Sequence, residues 1–316
     1  MNWMICGGNG LLGTALQREL SIAGINFSIG TRNETKKDKG VYHIDYSDPD
    51  ALARIFDSLG VDQIINLAGE PNAGKCKGLF TYGYNDHART SNVSTPSNIA
   101  KASKLLGIPI THASTVYVHS GYNEDGSVRN VPYTFLDKPR PQTAYGLSKL
   151  HGEHEVLDRG YRPRVVRLSP LFDLYNKKAG IVGQVIAPKE NQMFNDGQIS
   201  SPISCTDVSR WLIRMIRDED ESFRGVYDLG GPELMSRLGL AKTLAGHFNP
   251  LYKPMPESGS KIDPFRPPFI AVKTTCIPPG IKIRTIGDQI RAINIENSIR
   301  EGSQFDSILL PRRARR

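Results

Sequence analysis

The stretch "WMICGGNGLLGTAL" (Trp3–Leu16) decides the fold. It opens on an apolar run, carries Gly7, Gly8, Gly10 and Gly13 at its centre, and ends in an amphipathic pattern that continues through "QREL". The glycines satisfy the G-x-G-x-x-G spacing through Gly8, Gly10 and Gly13, and the G-x-x-G-x-x-G spacing through Gly7, Gly10 and Gly13. Set between a strand and a helix, such a turn has a physical use. Small residues permit the tight turn, let the backbone approach a pyrophosphate and let helix pack on strand, while the helix N-terminus offers N–H groups to the anion. The turn predicts dinucleotide binding, with Gly7, Asn9, Gly10, Leu11, Leu12 and Gly13 around the cofactor. A merely structural loop is the competing reading.

Outward from the turn, short apolar runs alternate with helical patterns. "NFSIG" (Asn26–Gly30), "VYHID" (Val41–Asp45), "QIINLAG" (Gln63–Gly69), "IPITHAS" (Ile108–Ser114) and "RVVRLSP" (Arg164–Pro170) read as strands. "DALARIFDSL" and "SNIAKASKLL" between them carry apolar residues at helical spacing. Such alternation implies βαβ units, an α/β Rossmann-type doubly wound parallel sheet, here expected over residues 1–170. After Pro170 the alternation fades into a smaller, irregular lobe over 171–280, with a helix at "CTDVSRWLIRMI" (Cys205–Ile216) and a strand near 225–231. Eight prolines between Pro250 and Pro279 predict extended loops. A peripheral helix and a basic tail, "PRRARR", are expected over 281–316.

Composition bounds the function. The chain has 316 residues, 39% of them hydrophobic, and no apolar run approaches the roughly 18 residues of a membrane span. Cys6, Cys76, Cys205 and Cys276 are far apart and form no metal-ligand spacing, so free thiols in a reducing cytoplasm are expected, with no metal. No signal-peptide layout precedes the first strand. The net charge of +8 is spread along the chain, which argues against nucleic acid and suits anionic small molecules.

Two further features bear on the ligand, the second of them also open to the reading of a tyrosine ring packed under a lysine stem. The second strand ends in Thr31 and Arg32, where an acid would bind the ribose 2′-hydroxyl of NAD. A hydroxyl and a guanidinium suit a 2′-phosphate instead, so NADPH is favoured over NADH, with a solvated surface Arg32 as the alternative. In "TAYGLSKLHGEHEV" (Thr143–Val156), Tyr145 and Lys149 stand at helical spacing and project from one face.

In this order and spacing the motifs resemble the extended short-chain dehydrogenase/reductase family over roughly residues 1 to 235. Asp45 and Tyr46 in "YHIDYSD" match the segment whose acid approaches the adenine. Leu67, Ala68 and Gly69 match the strand end beneath the cofactor, Asn92 the supporting helical Asn, Thr115 the strand hydroxyl, and Tyr145 and Lys149 the Tyr-x-x-x-Lys pair. Within the family, "STVYV", "AYGLSKLHGE", "RLSPLFD" and "GVYDLGGPELMSRLGLAKTLA" look most like dTDP-4-dehydrorhamnose reductases. Val116 stands where those enzymes usually have Asp, and Pro170 where they tend to have Trp.

The resemblance implies a reductase of a nucleotide-linked 4-keto-6-deoxy sugar. Tyr145 would give its proton to the developing alkoxide, Thr115 would bond the same oxygen, and Asn92 would orient Lys149. The Lys149 ammonium is expected to lower the Tyr145 pKa from its free value near 10. Strand alternation allows only one of Ser114 and Thr115 to face the site, and the resemblance selects Thr115. As ordinary fold residues, Thr115 would be a strand filler and Asn92 a cap. A substrate pyrophosphate needs cations or N–H donors in the cleft, with Lys189, Ser201 and Arg266 as candidates and plain loop residues as the alternative. A nucleotide-sugar epimerase of the same fold and a non-catalytic cofactor-binding regulatory subunit are the competing functions. The assembly is left open, a homodimer included.

Overall fold

The computed structural model describes residues 1–32, 40–77, 83–217, 224–257 and 266–294. The basic tail lies outside the described residues, whereas residues 286–294 are helical. The glycine turn joins β1 (Asn2–Cys6) to α1 (Leu11–Ile22). There follow β2 (Asn26–Thr31), β3 (Val41–His43), α2 (Pro49–Ser58) and β4 (Gln63–Asn66). A short α3 (Asp86–Arg89) runs through a π-helical turn, Thr90–Ser94, into α4 (Thr95–Leu106). Then come β5 (Ile110–Thr115), α5 (Ala144–Arg159) and β6 (Arg164–Leu168). The chain continues through β7 (Leu171–Phe172), α6 (Gly180–Ile186), β8 (Met193–Phe194), β9 (Ile199–Ser200), β10 (Ile203–Ser204) and α7 (Cys205–Arg217). There follow β11 (Gly225–Leu229), β12 (Met235–Ser236), α8 (Arg237–Phe248) and β13 (Met255–Pro256), ahead of the 286–294 helix.

Seven strands form the main sheet in the order β11-β6-β5-β4-β1-β2-β3, every neighbouring pair parallel. The order reverses between β1 and β4, and ligands of open α/β sheets gather at such a point, beyond the carboxyl ends of the strands. Gly7 follows β1 there with φ +80°, and a side chain on it would strike the Ala68 backbone nitrogen at 2.7 Å. Only glycine meets both conditions.

Strand alternation splits the core in two. Trp3 and Ile5 of β1 face α1 and α7, packing with Leu16, Leu20, Trp211 and Leu212. Met4 and Cys6 face the opposite layer, with Leu52, Phe56 and Ile99. The strand near 225–231, read from the sequence as part of the smaller lobe, lies in the main sheet: β11 pairs with β6, Asp228 opposite Arg167 and Leu229 opposite Leu168. The lobe itself is built from two-stranded pairs, α6, α8 and the 286–294 helix around Phe172, Phe194, Leu238 and Leu244. A proline-flanked strap, residues 267–273, ties it to the loop after β5. Tyr133 N–H donates to Ala271 O and Ile270 N–H to Ile199 O, both at 2.8 Å.

Helix α5 lies unusually close to its neighbours. A Cβ on Gly146 would overlap the Tyr117 carbonyl oxygen, and one on Gly152 the Asn92 carbonyl oxygen. These glycines bracket Lys149, so the contact that positions the lysine depends on having no side chain on either side of it. Gly152→Ala is expected to lower stability by about 1–3 kcal/mol, the cost of overpacking. Gly246→Ala in α8, where the added methyl meets nothing within 4 Å, should instead raise it by about 0.5–1 kcal/mol. Urea midpoints measure both, and a Gly152→Ala midpoint equal to wild type would disprove the close-contact role.

Candidate active site

Helix α5 starts cleanly because the Thr143 side chain accepts the Gly146 N–H at 2.9 Å. From there Lys149 and Glu153 fall one turn apart on the buried face. On β5, His112 and Ser114 are two residues apart on the facing surface. Two strand residues and four helix residues both rise about 6 Å, so the two pairs meet in register. Lys149 Nζ lies 3.3 Å from His112 Nε2 and donates to Ala113 O at 2.8 Å. Ser114 Oγ donates to Glu153 Oε1 at 2.5 Å, and Arg167 of β6, directly opposite Ser114, donates to both Glu153 oxygens at 2.8–3.1 Å.

Thr115 ends β5, its hydroxyl bonded to that of Tyr145, while Ser114 is spent on Glu153. The Tyr145 ring packs edge-on against Tyr117, 5.7 Å between centroids. The net shift of the Tyr145 pKa is upward, where the sequence led us to expect a fall. Burial dominates, Tyr117, Cys76 and Glu70 add to it, and the Thr115 hydrogen bond opposes it. The same burial pulls Lys149 down to about 8, against the upward pull of Glu153 and Cys76. Burial of the Tyr145 hydroxyl thus outweighs the lowering that the expectation assigned to the Lys149 charge.

The π-helical turn holds Asn92, which is fully buried. Its Oδ1 accepts the Glu70 N–H at 2.8 Å and its Nδ2 donates to Ser148 Oγ at 3.0 Å. Asn92 therefore braces α5 and the loop after β4 through Ser148 and Glu70, one residue from Lys149 and one from Gly69. Neither Glu70 nor Ser148 stood out in the sequence, since each acts through backbone geometry that only the fold creates. Burial tends to raise the Glu70 carboxyl, but hydrogen bonds from His87 and Asn72 and the Lys75 charge hold it below the usual range.

The residues around the glycine turn fit a dinucleotide. Gly10 caps α1 with no side-chain hydrogen bond, and no acidic residue stands in the first turn, so nothing there competes with an anion for the N–H groups of Leu11, Leu12 and Gly13. Asn9 Nδ2 donates to Thr31 Oγ1 at 3.3 Å, tethering the turn to the end of β2, where Arg32 is exposed. Asp45 is exposed and accepts from the Ser47 N–H and hydroxyl. Tyr46 turns its side chain into the core, only 4% exposed, and its carbonyl accepts from Asn98 Nδ2 at 3.0 Å. At the end of β4, Leu67 N–H donates to Cys6 O and Ala68 N–H to Asn66 Oδ1. Gly69 opens beside Lys149: a Cβ on it would lie 3.8 Å from Nζ.

Known proteins match this arrangement. The sequence model of the RmlD substrate binding domain matches residues 1–268. The chain belongs to that family. A probable low-salt glycan biosynthesis reductase, Agl14 of Haloferax volcanii, is 30% identical over 57% of this chain, and the match spans 56% of that protein's length. Methionine adenosyltransferase 2 subunit beta of Rattus norvegicus is 26% identical over 78% of this chain and 72% of its own. In fold, the dTDP-4-dehydrorhamnose reductase of Bacillus anthracis, solved in complex with NADP, superposes with a TM-score of 0.70 at 22% identity, covering 87% of this chain and 89% of the other. The extended short-chain dehydrogenase/reductase resemblance read from the motifs therefore stands.

The RmlD-family lobe brings only part of the expected substrate set to Tyr145. Tyr117 donates its hydroxyl to Gln198 Oε1 at 2.8 Å, and Gln198 Nε2 donates to the carbonyl of Pro267 at 2.7 Å; the neighbouring Arg266 pairs with Glu257 at 3.6 Å. Arg237, which the sequence did not single out, is an exposed electrostatic neighbour of Tyr117 and Arg266 and donates to Gln184 Oε1 at 2.8 Å. Ser201 is fully buried, its hydroxyl bonded to both backbone groups of Val272 and to Ser169, so it staples the strap and does not face the cleft. Lys189 is an exposed turn residue. Val116 packs with Tyr133, Phe269 and Val272.

Lys149 yields a pH test. Its folded-state pKa lies below the ordinary lysine value, so between the two the unfolded chain binds the extra proton. The contribution of this residue to stability is full above the ordinary value and is lost as pH falls through about 8. Lys149→Met should accordingly stabilise the cofactor-free protein at pH 7, and the gain should shrink toward pH 10. Urea denaturation at both pH values reads the difference, and a gain independent of pH would contradict the lowered value.

Proposed function

We propose that the protein is an NADPH-dependent reductase of a nucleotide-linked 4-keto-6-deoxy sugar, with Tyr145 as general acid. The observation that carries the reading is the Tyr145–Thr115 hydroxyl pair at the end of β5, with Lys149 one helical turn away. A bound nicotinamide would supply the hydride. Residues Gly7, Asn9, Gly10, Leu11, Leu12 and Gly13 would hold its phosphates, Asp45 its adenine end, and Gly69 and Lys149 its ribose.

In the reductive direction Tyr145 must hold a proton at neutral pH, and burial keeps it there. Thr115 orients that proton toward the substrate oxygen. Once it is given up, the phenolate needs a cation nearby, and Lys149 is the cation in reach. Arg32 would meet a 2′-phosphate and so select NADPH over NADH. Arg266, with Arg237 beside it, would take the substrate diphosphate. A cytoplasmic protein, with a homodimer as its assembly, belongs to the same reading; among the described residues no helix is long and apolar enough to cross a membrane.

A second reading has one observation behind it. A relative matched over 78% of this chain is named as a subunit of methionine adenosyltransferase, which keeps a cofactor-binding subunit without turnover in play. Nucleotide binding without reduction of any 4-keto sugar nucleotide would favour it.

Tyr145→Phe should leave NADPH affinity unchanged and lower turnover roughly a hundredfold or more, the range for a lost general acid. Steady-state kinetics on 4-keto-6-deoxy sugar nucleotides with NADPH measures this, and wild-type kcat in the variant would remove Tyr145 from the chemistry. Arg32→Asp should weaken NADPH binding by about 1–3 kcal/mol and spare NADH. Equal losses for the two cofactors, by fluorescence titration, would show that Arg32 touches no 2′-phosphate.

A further inference from the structure

Beneath Tyr145 and Lys149 runs a buried line of polar groups that the reduction does not itself require. Asn66 and His112 are fully buried and Lys149 is 6% exposed. The line starts where Ala68 N–H donates to Asn66 Oδ1 at 3.0 Å. That bond orients the carboxamide, so its NH2 faces His112 Nδ1 at 3.0 Å. An amide nitrogen only donates, so Nδ1 must accept, and a neutral imidazole then carries its hydrogen on Nε2. Nε2 in turn faces Lys149 Nζ at 3.3 Å, and Nζ donates to Ala113 O at 2.8 Å. With an ammonium at Lys149, two N–H donors would confront each other in a dry interior. A neutral amine has the lone pair that accepts the Nε2–H. His112 cannot escape the conflict by ionising, since burial first and the Lys149 charge second push its pKa well below the usual value.

We infer that His112, locked as its Nε2–H tautomer by Asn66, is a positioning residue that lowers the proton affinity of Lys149 in the cofactor-free protein by favouring its neutral amine. The inference deepens the reductase reading and rests on it for its consequence: an anionic ligand beside Lys149 would pull its proton affinity back up. The other titratable groups around Lys149 either pull its proton affinity up, as Glu153 and Cys76 do, or are engaged elsewhere. From its own helix, Glu153 is taken by Arg167 of β6 and by Ser114 of β5, and Tyr145 is bonded to Thr115. From the side of the loop after β4, Cys76 is a protonated thiol raised by burial, and Glu70 is held by His87 and Asn72. Tyr117 lies across Tyr145, on the far side of the pair.

The test uses the full chain without cofactor or substrate, so its outcome is independent of any turnover assay. In wild-type protein carrying 15N-histidine, the ring nitrogen shifts of His112, assigned by their absence from His112→Gln, should report the neutral Nε2–H tautomer from pH 6 to 8. The Nδ1–H tautomer or an imidazolium there overturns the proposal. The Cε resonance of Lys149 in 13C-lysine protein, assigned by its absence from Lys149→Met, should titrate near pH 8. His112→Gln keeps the site buried but offers an amide oxygen that accepts from an ammonium, so the midpoint should rise by about one unit or more, at least tenfold in proton affinity. A midpoint unchanged in folded His112→Gln would mean that burial alone sets Lys149, and the proposal fails. Should that variant not fold, the wild-type tautomer measurement still decides it.

Discussion

The position of α5 depends on one buried ion pair. Arg167 grips Glu153 with two nitrogens, both side chains at most 5% exposed, and Ser114 completes the carboxylate. Asp228, across from Arg167 on β11, adds to the negative field that keeps the guanidinium charged. A buried pair of this kind adds little net stability, because desolvation offsets the attraction. Removing either partner is another matter, at about 3–5 kcal/mol for the charge left behind. The pair therefore works as a register pin. It fixes where Glu153 sits over β5 and β6, and with it Lys149 one turn earlier and Tyr145 one turn before that.

The parallel sheet was legible in the sequence because it follows from local rules. The glycine turn, the strand runs and the helical patterns each involve residues close in the chain, and the strands lie where periodicity puts them. The edge position of β11 was not legible, since a short apolar run says nothing about its partner. Within the site, the Tyr145–Lys149 spacing could be read because four residues on a helix share a face. The groups that act on that pair could not. His112, Glu70 and Arg167 reach it from other elements, and nothing in "THAST" separates a catalytic neighbour from an ordinary strand histidine. Ser201 shows the opposite error: a serine in a promising loop turned out to hold two backbone groups of the strap.

Val116 illustrates how a departure from a family pattern can be structural. It is buried to 1% against Tyr133, Phe269, Ile270 and Val272. That cluster is the underside of the strap that joins the loop after β5 to the smaller lobe. A carboxylate at this position would be left among apolar side chains, at the cost of burying an unpaired charge. The strap in turn carries Pro267, whose carbonyl receives Gln198, which receives Tyr117. An apolar residue next to Thr115 thus helps to fix the ring that packs on Tyr145.

The buried polar layer also bears on the choice between an enzyme and a cofactor-binding subunit. A dinucleotide can be held by the glycine turn, the uncapped end of α1 and the loop after β4 without any help from below α5. Elsewhere the same face of the sheet is filled by Met4, Ile64, Ile99 and Val156, which pack without polar cost. Yet beneath Tyr145 the chain buries a lysine, a glutamate, an arginine and a histidine in one contiguous layer. A fold under no demand beyond binding gains nothing from that expense, since apolar residues of similar volume serve a helix–sheet contact at least as well. Departures from local consistency of this kind concentrate at sites that must move protons or charge. The layer is therefore an argument for chemistry at Tyr145, since apart from Lys149, which the ribose would also engage, its residues hold no part of the cofactor.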